Sequence, residues 1–233
     1  MSNRISFTLN GREVTAAPDE TIWQVAAREG TEIPHLCYAP EPGYRPDGNC
    51  RACMVHIEGE RVLAASCLRK PADGMVVDTE AERASKARAM VIEMLAADQP
   101  DRATAHDGDS KFWQWADRVD VQSSRFPARE TTPEADSSHA AMAVNLDACI
   151  HCNLCVRACR EVQSNDVIGM AARGAESKIV FDFDDPMGQS SCVACGECVQ
   201  ACPTGALLPS SMVDDAGVGV EKEIGRASCR ERV

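Results

Sequence analysis

The sequence predicts an α+β chain of two small domains joined by a helical linker, and three observations carry that prediction. Short alternating runs around Asn10-Gly11 and again between Met54 and Val77 read as hairpin strands flanking one helix. Residues 80–97 are rich in Ala, Glu, Arg and Met, a helical composition. Twelve of the thirteen cysteines fall into three sets of four, each containing C-x2-C spacing, one set before this helix and two well after it.

In chain order, residues 3–9 and 12–16 alternate about Asn-Gly, a strong short hairpin signal. Asp19-Glu20-Thr21 offers a helix start, Ile22, Val25 and Ala26 give that helix an apolar face, and Gly30 ends it. Pro34 to Asn49 is rich in Pro and Gly and reads as a loop. Met54–Ile57 and Val62–Ala65 read as strands joined across Glu58-Gly59-Glu60, and Met75–Val77 as a short closing strand. After the helix at 80–97, Gln99–Asp109 has no periodicity and reads as a loop. Lys111–Val119 reads as a short helix whose Phe112, Trp113, Trp115 and Ala116 are expected to pack against a neighbouring domain. Ser123–Ser138, polar and Pro-containing, marks the expected boundary. The resulting division is 1–79, 80–143, 144–212 and a short continuation at 213–223.

The last ten residues, 224–233, read IGRASCRERV and translate a short-read sequencing adapter residue for residue. They are set aside from the fold as an artefact. Without their three Arg and one Glu the chain keeps 21 basic and 35 acidic residues, a net of −14. Cys229 leaves the count with them. The native chain is expected to continue past Glu223.

A net charge of −12 over the full 233 residues argues against nucleic acid and anionic membrane as partners. The N-terminus lacks the basic start and apolar run of a signal peptide, and the best apolar run, Ala89–Ala97, is broken by Glu93. Grouped C-x2-C cysteines in such a chain read as metal or redox sites rather than disulfides. A cytoplasmic location is the expectation, with no membrane span.

Cys37, Cys50, Cys53 and Cys67 are spaced C-x12-C-x2-C-x13-C. A [2Fe–2S] cluster takes four thiolates, two per iron, and a close pair flanked by one earlier and one later cysteine meets that need. Gly48 and Ala52 are small enough to let backbone N–H groups approach the sulfurs. A structural zinc site is the competing reading, although zinc ribbons favour two C-x2-C pairs. In its hairpin–helix–loop–strand context this set resembles the N-terminal β-grasp ferredoxin domain of the large iron–sulfur subunit of NADH:quinone oxidoreductase. Similar domains begin [FeFe]-hydrogenases and NAD-linked formate dehydrogenases. His35, two residues before Cys37, is expected to be a surface residue.

Cys149, Cys152, Cys155 and Cys159 make C-x2-C-x2-C-x3-C, and Cys192, Cys195, Cys198 and Cys202 repeat it, followed by Pro203. This is the bacterial two-cluster ferredoxin pattern, in which the fourth cysteine of each run ligates the other [4Fe–4S] cluster. The first cluster then takes Cys149, Cys152, Cys155 and Cys202; the second takes Cys192, Cys195, Cys198 and Cys159. The first run carries Arg160 where the second has Pro203. His151 is expected to be an exposed spectator, and Arg157 and Arg160 to offset local thiolate and acidic charge.

The text between the runs, CVRACREVQSNDVIGMAARG (Cys155–Gly174) and IVFDFDDPMGQSSCVACGECVQACPTGAL (Ile179–Leu207), resembles the alpha subunit of NAD-dependent, molybdenum- or tungsten-containing formate dehydrogenase. That resemblance implies a bis-molybdopterin catalytic domain downstream and a flavin- and NAD-binding partner subunit. Its electrons would pass from the missing site through two [4Fe–4S] clusters to the [2Fe–2S] cluster. Many relatives carry a His-and-three-Cys cluster motif just after the helix at 80–97. Here His106 is present but no cysteine lies between Cys67 and Cys149, so that cluster cannot form. The chain offers no catalytic acid, base or nucleophile and no GxGxxG nucleotide site. The competing functions are a stand-alone ferredoxin-like carrier, the iron–sulfur subunit of an NADH dehydrogenase or [FeFe]-hydrogenase, and a zinc-stabilised interaction module.

Overall fold

The computed structural model describes residues 4–213, so the adapter-like string and the continuation from 214 onward lie outside the described residues. Strands β1 (Ile5–Leu9) and β2 (Arg12–Ala16) pair antiparallel, with Leu9 opposite Arg12. Asn10 and Gly11 between them have φ of +50° and +77°, which only a residue such as Asn or Gly adopts cheaply. Asn10 also holds its amide against Thr79, donating to Oγ1 and accepting from N at 2.8 Å each. Helix α1 (Ile22–Arg28) starts at Thr21 with a complete capping box to Gln24.

Strands β3 (Met54–Ile57), β4 (Ala64–Ala65) and β5 (Val76–Asp78) complete a five-stranded sheet in the order β2-β1-β5-β3-β4, with β1 and β5 parallel and every other pair antiparallel. α1 covers one face, closing a core of Phe7, Leu9, Val14, Ile22, Val25, Val55, Ile57 and Val77. Two strands differ from the expectation. Val62 is 57% exposed, so the run at 62–65 has no second buried position and pairs only at Ala64–Ala65. Met75 N–H is taken up by Ala72 O in the turn at Gly74, which shifts the last strand one residue on.

Helix α2 (Glu82–Ala96) lies beside β3, where the half-buried Arg88 donates to Met54 O at 3.0 Å and Thr79 O at 2.6 Å. Helix α3 (Lys111–Arg118) buries Phe112, Trp113 and Ala116 against Ile92 of α2 and against Leu36 and Ala52 of the first cysteine-bearing segment. The linker thus packs as a wedge, as its aromatic residues suggest, and Phe112 N–H donates to Pro203 O at 2.9 Å.

Beyond it, β6 (Met142–Val144) pairs with β9 (Leu207–Pro209), and β7 (Ile168–Ala171) with β8 (Lys178–Phe181), both antiparallel. Short helices α4 (Leu154–Arg157) and α5 (Glu197–Ala201) sit between, and a π-helical turn at Ala158–Val162 continues α4. The polar segment expected as a boundary does not stay outside this unit. Asp136 bridges Val144 through both backbone groups, and its carboxylate accepts from Met187 N–H at 2.6 Å. Short polar side chains that satisfy a neighbour's N–H look like linker in sequence and act as structure here. Among the described residues no helix is long and apolar enough to cross a membrane.

Candidate metal centres

All twelve cysteines in the described part are free thiols. Cys37, Cys53 and Cys67 are buried and Cys50 half-buried. Cys37 sits within hydrogen-bonding reach of Cys50 and Cys67, and Cys53 within reach of Cys67. Sulfurs this close share their protons: Cys37 and Cys53 shift down because neighbouring thiols donate to them, and Cys50 and Cys67 shift up for the reciprocal reason. Backbone N–H groups of Asn49 and Cys50 point at the Cys37 sulfur, and that of Ala52 at Cys50. The small residue at 52 is wholly buried, and Gly48 at φ +68° turns the loop.

The two later runs interleave. A small cavity is lined by Cys149, Cys152, Cys155 and Cys202, with Ile150 and Leu207 on its apolar wall. A second is lined by Cys159, Cys192, Cys195 and Cys198, with Ile168 and Phe181. Each takes three thiols from one run and the fourth from the other. Burial pushes Cys149 up to about 11 and Cys198 up to about 12, and raises Cys152 and Cys155 further. Such thiols ionise only when a cation shares the space. Among the described residues no three His, Cys, Asp or Glu side chains are arranged for a single metal ion.

The runs also repeat in backbone conformation. His151 and Ala194, each second after the first cysteine, have φ of +52° and +56°. Their N–H groups donate to Cys149 Sγ at 3.5 Å and Cys192 Sγ at 3.4 Å. Asn153 and Gly196 follow at +61° and +77°, opening the short helices. Val167 N–H reaches Cys159 Sγ at 3.3 Å. This left-handed backbone is strained for non-glycine residues and costs of order 1–3 kcal/mol at each, so its recurrence around the sulfurs marks a functional turn.

Two histidines depart from the sequence reading. His35 is half-buried and sits edge-on to Trp23 at 4.6 Å and Trp115 at 5.7 Å; distant aromatics come together there, which local sequence does not reveal. His151 is likewise half-buried, because the left-handed turn that aims its N–H at sulfur folds it against the protein. His106 is buried, its Nδ1 3.2 Å from Gly205 O, three residues past Cys202. Burial lowers its pKa below the usual histidine value. The folded state therefore prefers neutral imidazole, the unfolded chain binds the extra proton, and stability is lost as pH falls below about 6.5. His35 and His151 shift the same way. Unfolding midpoints measured between pH 5 and 8 are expected to fall toward acid, with His106→Gln flattening the slope; an unchanged slope would exclude His106 as a contributor.

Residues that sequence reasoning missed lie where the first cysteine loop meets the later runs. Tyr44 donates to Glu197 at 2.8 Å, Arg45 pairs with Glu161 at 2.8 Å, and Asn49 donates to His151 O and Cys152 O at 3.5 Å. Polar and aromatic residues inside a Pro/Gly loop were the available signal. Arg160 forms an exposed pair with Asp166, as a charge-offsetting role requires.

Residues 2–82 match a 2Fe-2S iron-sulfur cluster binding domain, and residues 148–206 a 4Fe-4S dicluster domain. Probable oxidoreductase YjgC of Bacillus subtilis is 29% identical over 228 residues, 96% of this chain and 23% of that protein. NADP-reducing hydrogenase subunit HndD of Solidesulfovibrio fructosivorans is 31% identical over 209 residues, 88% of this chain and 36% of that protein. An NADH-quinone oxidoreductase component of Rhizobium meliloti and proteins named as formate dehydrogenases match as well. The chain therefore spans about a quarter to a third of the curated relatives it matches. Among solved structures, a chain of the NAD+-reducing [NiFe]-hydrogenase in its H2-reduced state superposes with a TM-score of 0.83 at 27% identity, covering 95% of this chain and 91% of that one.

Proposed function

We propose, from the homology of its 2Fe-2S and 4Fe-4S domains to those of NADH-quinone oxidoreductase, formate dehydrogenase and NAD-reducing hydrogenase subunits, that this chain is a three-cluster electron relay. The sheet domain, read as a β-grasp, holds one [2Fe–2S] cluster on Cys37, Cys50, Cys53 and Cys67. One [4Fe–4S] cluster sits on Cys149, Cys152, Cys155 and Cys202, the other on Cys192, Cys195, Cys198 and Cys159. The observation that carries this reading is the pair of thiol-lined cavities, each completed by a cysteine from the opposite run. When bound, such clusters supply one-electron carriers whose potentials respond to hydrogen bonding and burial. The chain's own part is to bury most of the thiols, aim N–H groups at several of them and hold the three sites against one another.

The relay is assigned to a formate dehydrogenase alpha subunit working in the cytoplasm. It serves a Mo- or W-bis-molybdopterin site in its own downstream domain and a flavin/NAD-binding partner. A second reading, the iron–sulfur subunit of an NADH dehydrogenase or a hydrogenase, is supported by the superposition on the hydrogenase chain and the matches to the hydrogenase and NADH-quinone oxidoreductase subunits. Anaerobic purification, iron and zinc quantification and EPR after dithionite reduction test the relay itself. About ten irons per chain with a [2Fe–2S] signal beside interacting [4Fe–4S] signals is the expected result. A colourless, EPR-silent chain with stoichiometric zinc would replace it with a structural metal protein. In the purified native assembly, rapid EPR-detected reduction by formate favours the first assignment over the second.

A further inference from the structure

Arg157 occupies the point where all three cysteine sets meet. It follows Cys155 by two residues and precedes Cys159 by two, so its backbone lies between a thiol of each later cavity. Its side chain turns the other way, into the seam with the N-terminal domain, and is 3% exposed. There the guanidinium donates to Cys37 O at 2.6 Å, to Cys152 O at 3.5 Å and to Arg45 O. Its Nε is buried with no hydrogen-bond partner. Among the described residues no carboxylate pairs with it, whereas exposed Arg45 next to it takes both Asp47 and Glu161.

A buried cation without a counter-charge is costly, and an arginine offering five donors into a site that takes three is not a fully satisfied structural peg. Two of the carbonyls it holds belong to Cys37 and Cys152, one from each of two cysteine sets, so thiolates formed there on metal binding would lie one residue's backbone away from it. We propose that Arg157 is a positioning residue for the relay: one cation bracketing Cys37 and Cys152, which fixes the [2Fe–2S] site against the first [4Fe–4S] site and raises the reduction potential of both. This rests on the relay reading above. Each reduction adds negative charge beside the guanidinium, so its field favours the reduced state of the two sites it touches and less so that of the third.

The test uses the full chain, with iron content, thermal unfolding and EPR-monitored redox titration of wild type, Arg157→Met and Arg157→Lys. Wild-type iron content and signals report on the relay reading; the shifts between variants report on Arg157. With Arg157→Met the reduction equilibria of the [2Fe–2S] and first [4Fe–4S] centres are expected to fall at least tenfold, about 59 mV for one electron, with a smaller change at the second. Arg157→Lys keeps the charge without the fork and is expected to restore more than half of that shift. An Arg157→Met chain with full iron and wild-type potentials would overturn the proposal. If Arg157→Met fails to load iron, Arg157→Lys decides. Full loading with near-wild-type potentials supports the charge role, while lost loading, or potentials displaced equally at all three centres, would leave Arg157 a packing residue only.

Discussion

Changing Cys202 to serine is expected to cost the chain the cluster of the first run while leaving the cluster of its own sequence neighbours in place. Cys202 lines the cavity of Cys149, Cys152 and Cys155, whereas Cys192, Cys195 and Cys198 surround the other cavity with Cys159. Serine preserves the size of the side chain and removes the soft thiolate that iron–sulfur cores take, so the loss is one of ligation rather than packing. Iron should drop from about ten toward about six per chain, with one of the two interacting [4Fe–4S] signals lost. Cys159→Ser gives the mirror result. Mössbauer and EPR spectra of the two variants, assigned with Cys149→Ser and Cys192→Ser as references, check it. If Cys202→Ser pairs spectroscopically with Cys192→Ser rather than with Cys149→Ser, ligation follows the runs and the crossed assignment is wrong.

The second large effect is expected on removing iron altogether. The sheet domain closes on Phe7, Leu9, Ile22, Val25, Val55 and Val77 without help from the later half of the chain. The core that joins β6 to β9 counts Cys152, Cys155, Cys159 and Cys198 among its own members and draws in Cys37 and Ala39 from the first loop. Bound metal contributes on the order of 10–16 kcal/mol in small metal-dependent domains, as much as the whole stability of a typical fold. Chelation under reducing, anaerobic conditions should therefore unfold residues 142–209 and fray the loop at 37–50, while the amides of β1, β2 and β5 stay protected. Hydrogen exchange of the full chain before and after chelation reads this by region. Persistent protection of β6–β9 in the iron-free chain would mean that Leu154, Ile168, Phe181 and Leu207 suffice as a core.

Local chemistry made part of this legible in advance. Asn10-Gly11 fixes a hairpin through its two positive φ angles, and Thr21 with Gln24 fixes a helix start, because both signals act over a few residues. The cysteine spacing was enough to group twelve thiols, and the fold brings each proposed group together. What sequence could not supply were contacts across more than a hundred residues. Arg157 reads as a generic cation until its donors are seen on Cys37 and Arg45 carbonyls. His35 reads as a loop residue until Trp23 and Trp115 close on it. Val62 fits a strand by composition and fails because nothing covers it.

The exchange of the fourth cysteine between runs also sets a timetable for making the protein. A ribosome adding roughly 5–20 residues per second takes roughly 3–10 s to travel from Cys149 to Cys202. Through that interval the first three thiols of the N-terminal run are already synthesised while their fourth partner is still untranslated, and Cys159 waits for a run that does not yet exist. Neither cavity can close on a nascent chain until the last stretch before β9 has left the exit tunnel. On the proposed ligation, iron and sulfide could be loaded into either site only once the stretch through Cys202 has been made, and until then the earlier thiols stay unliganded.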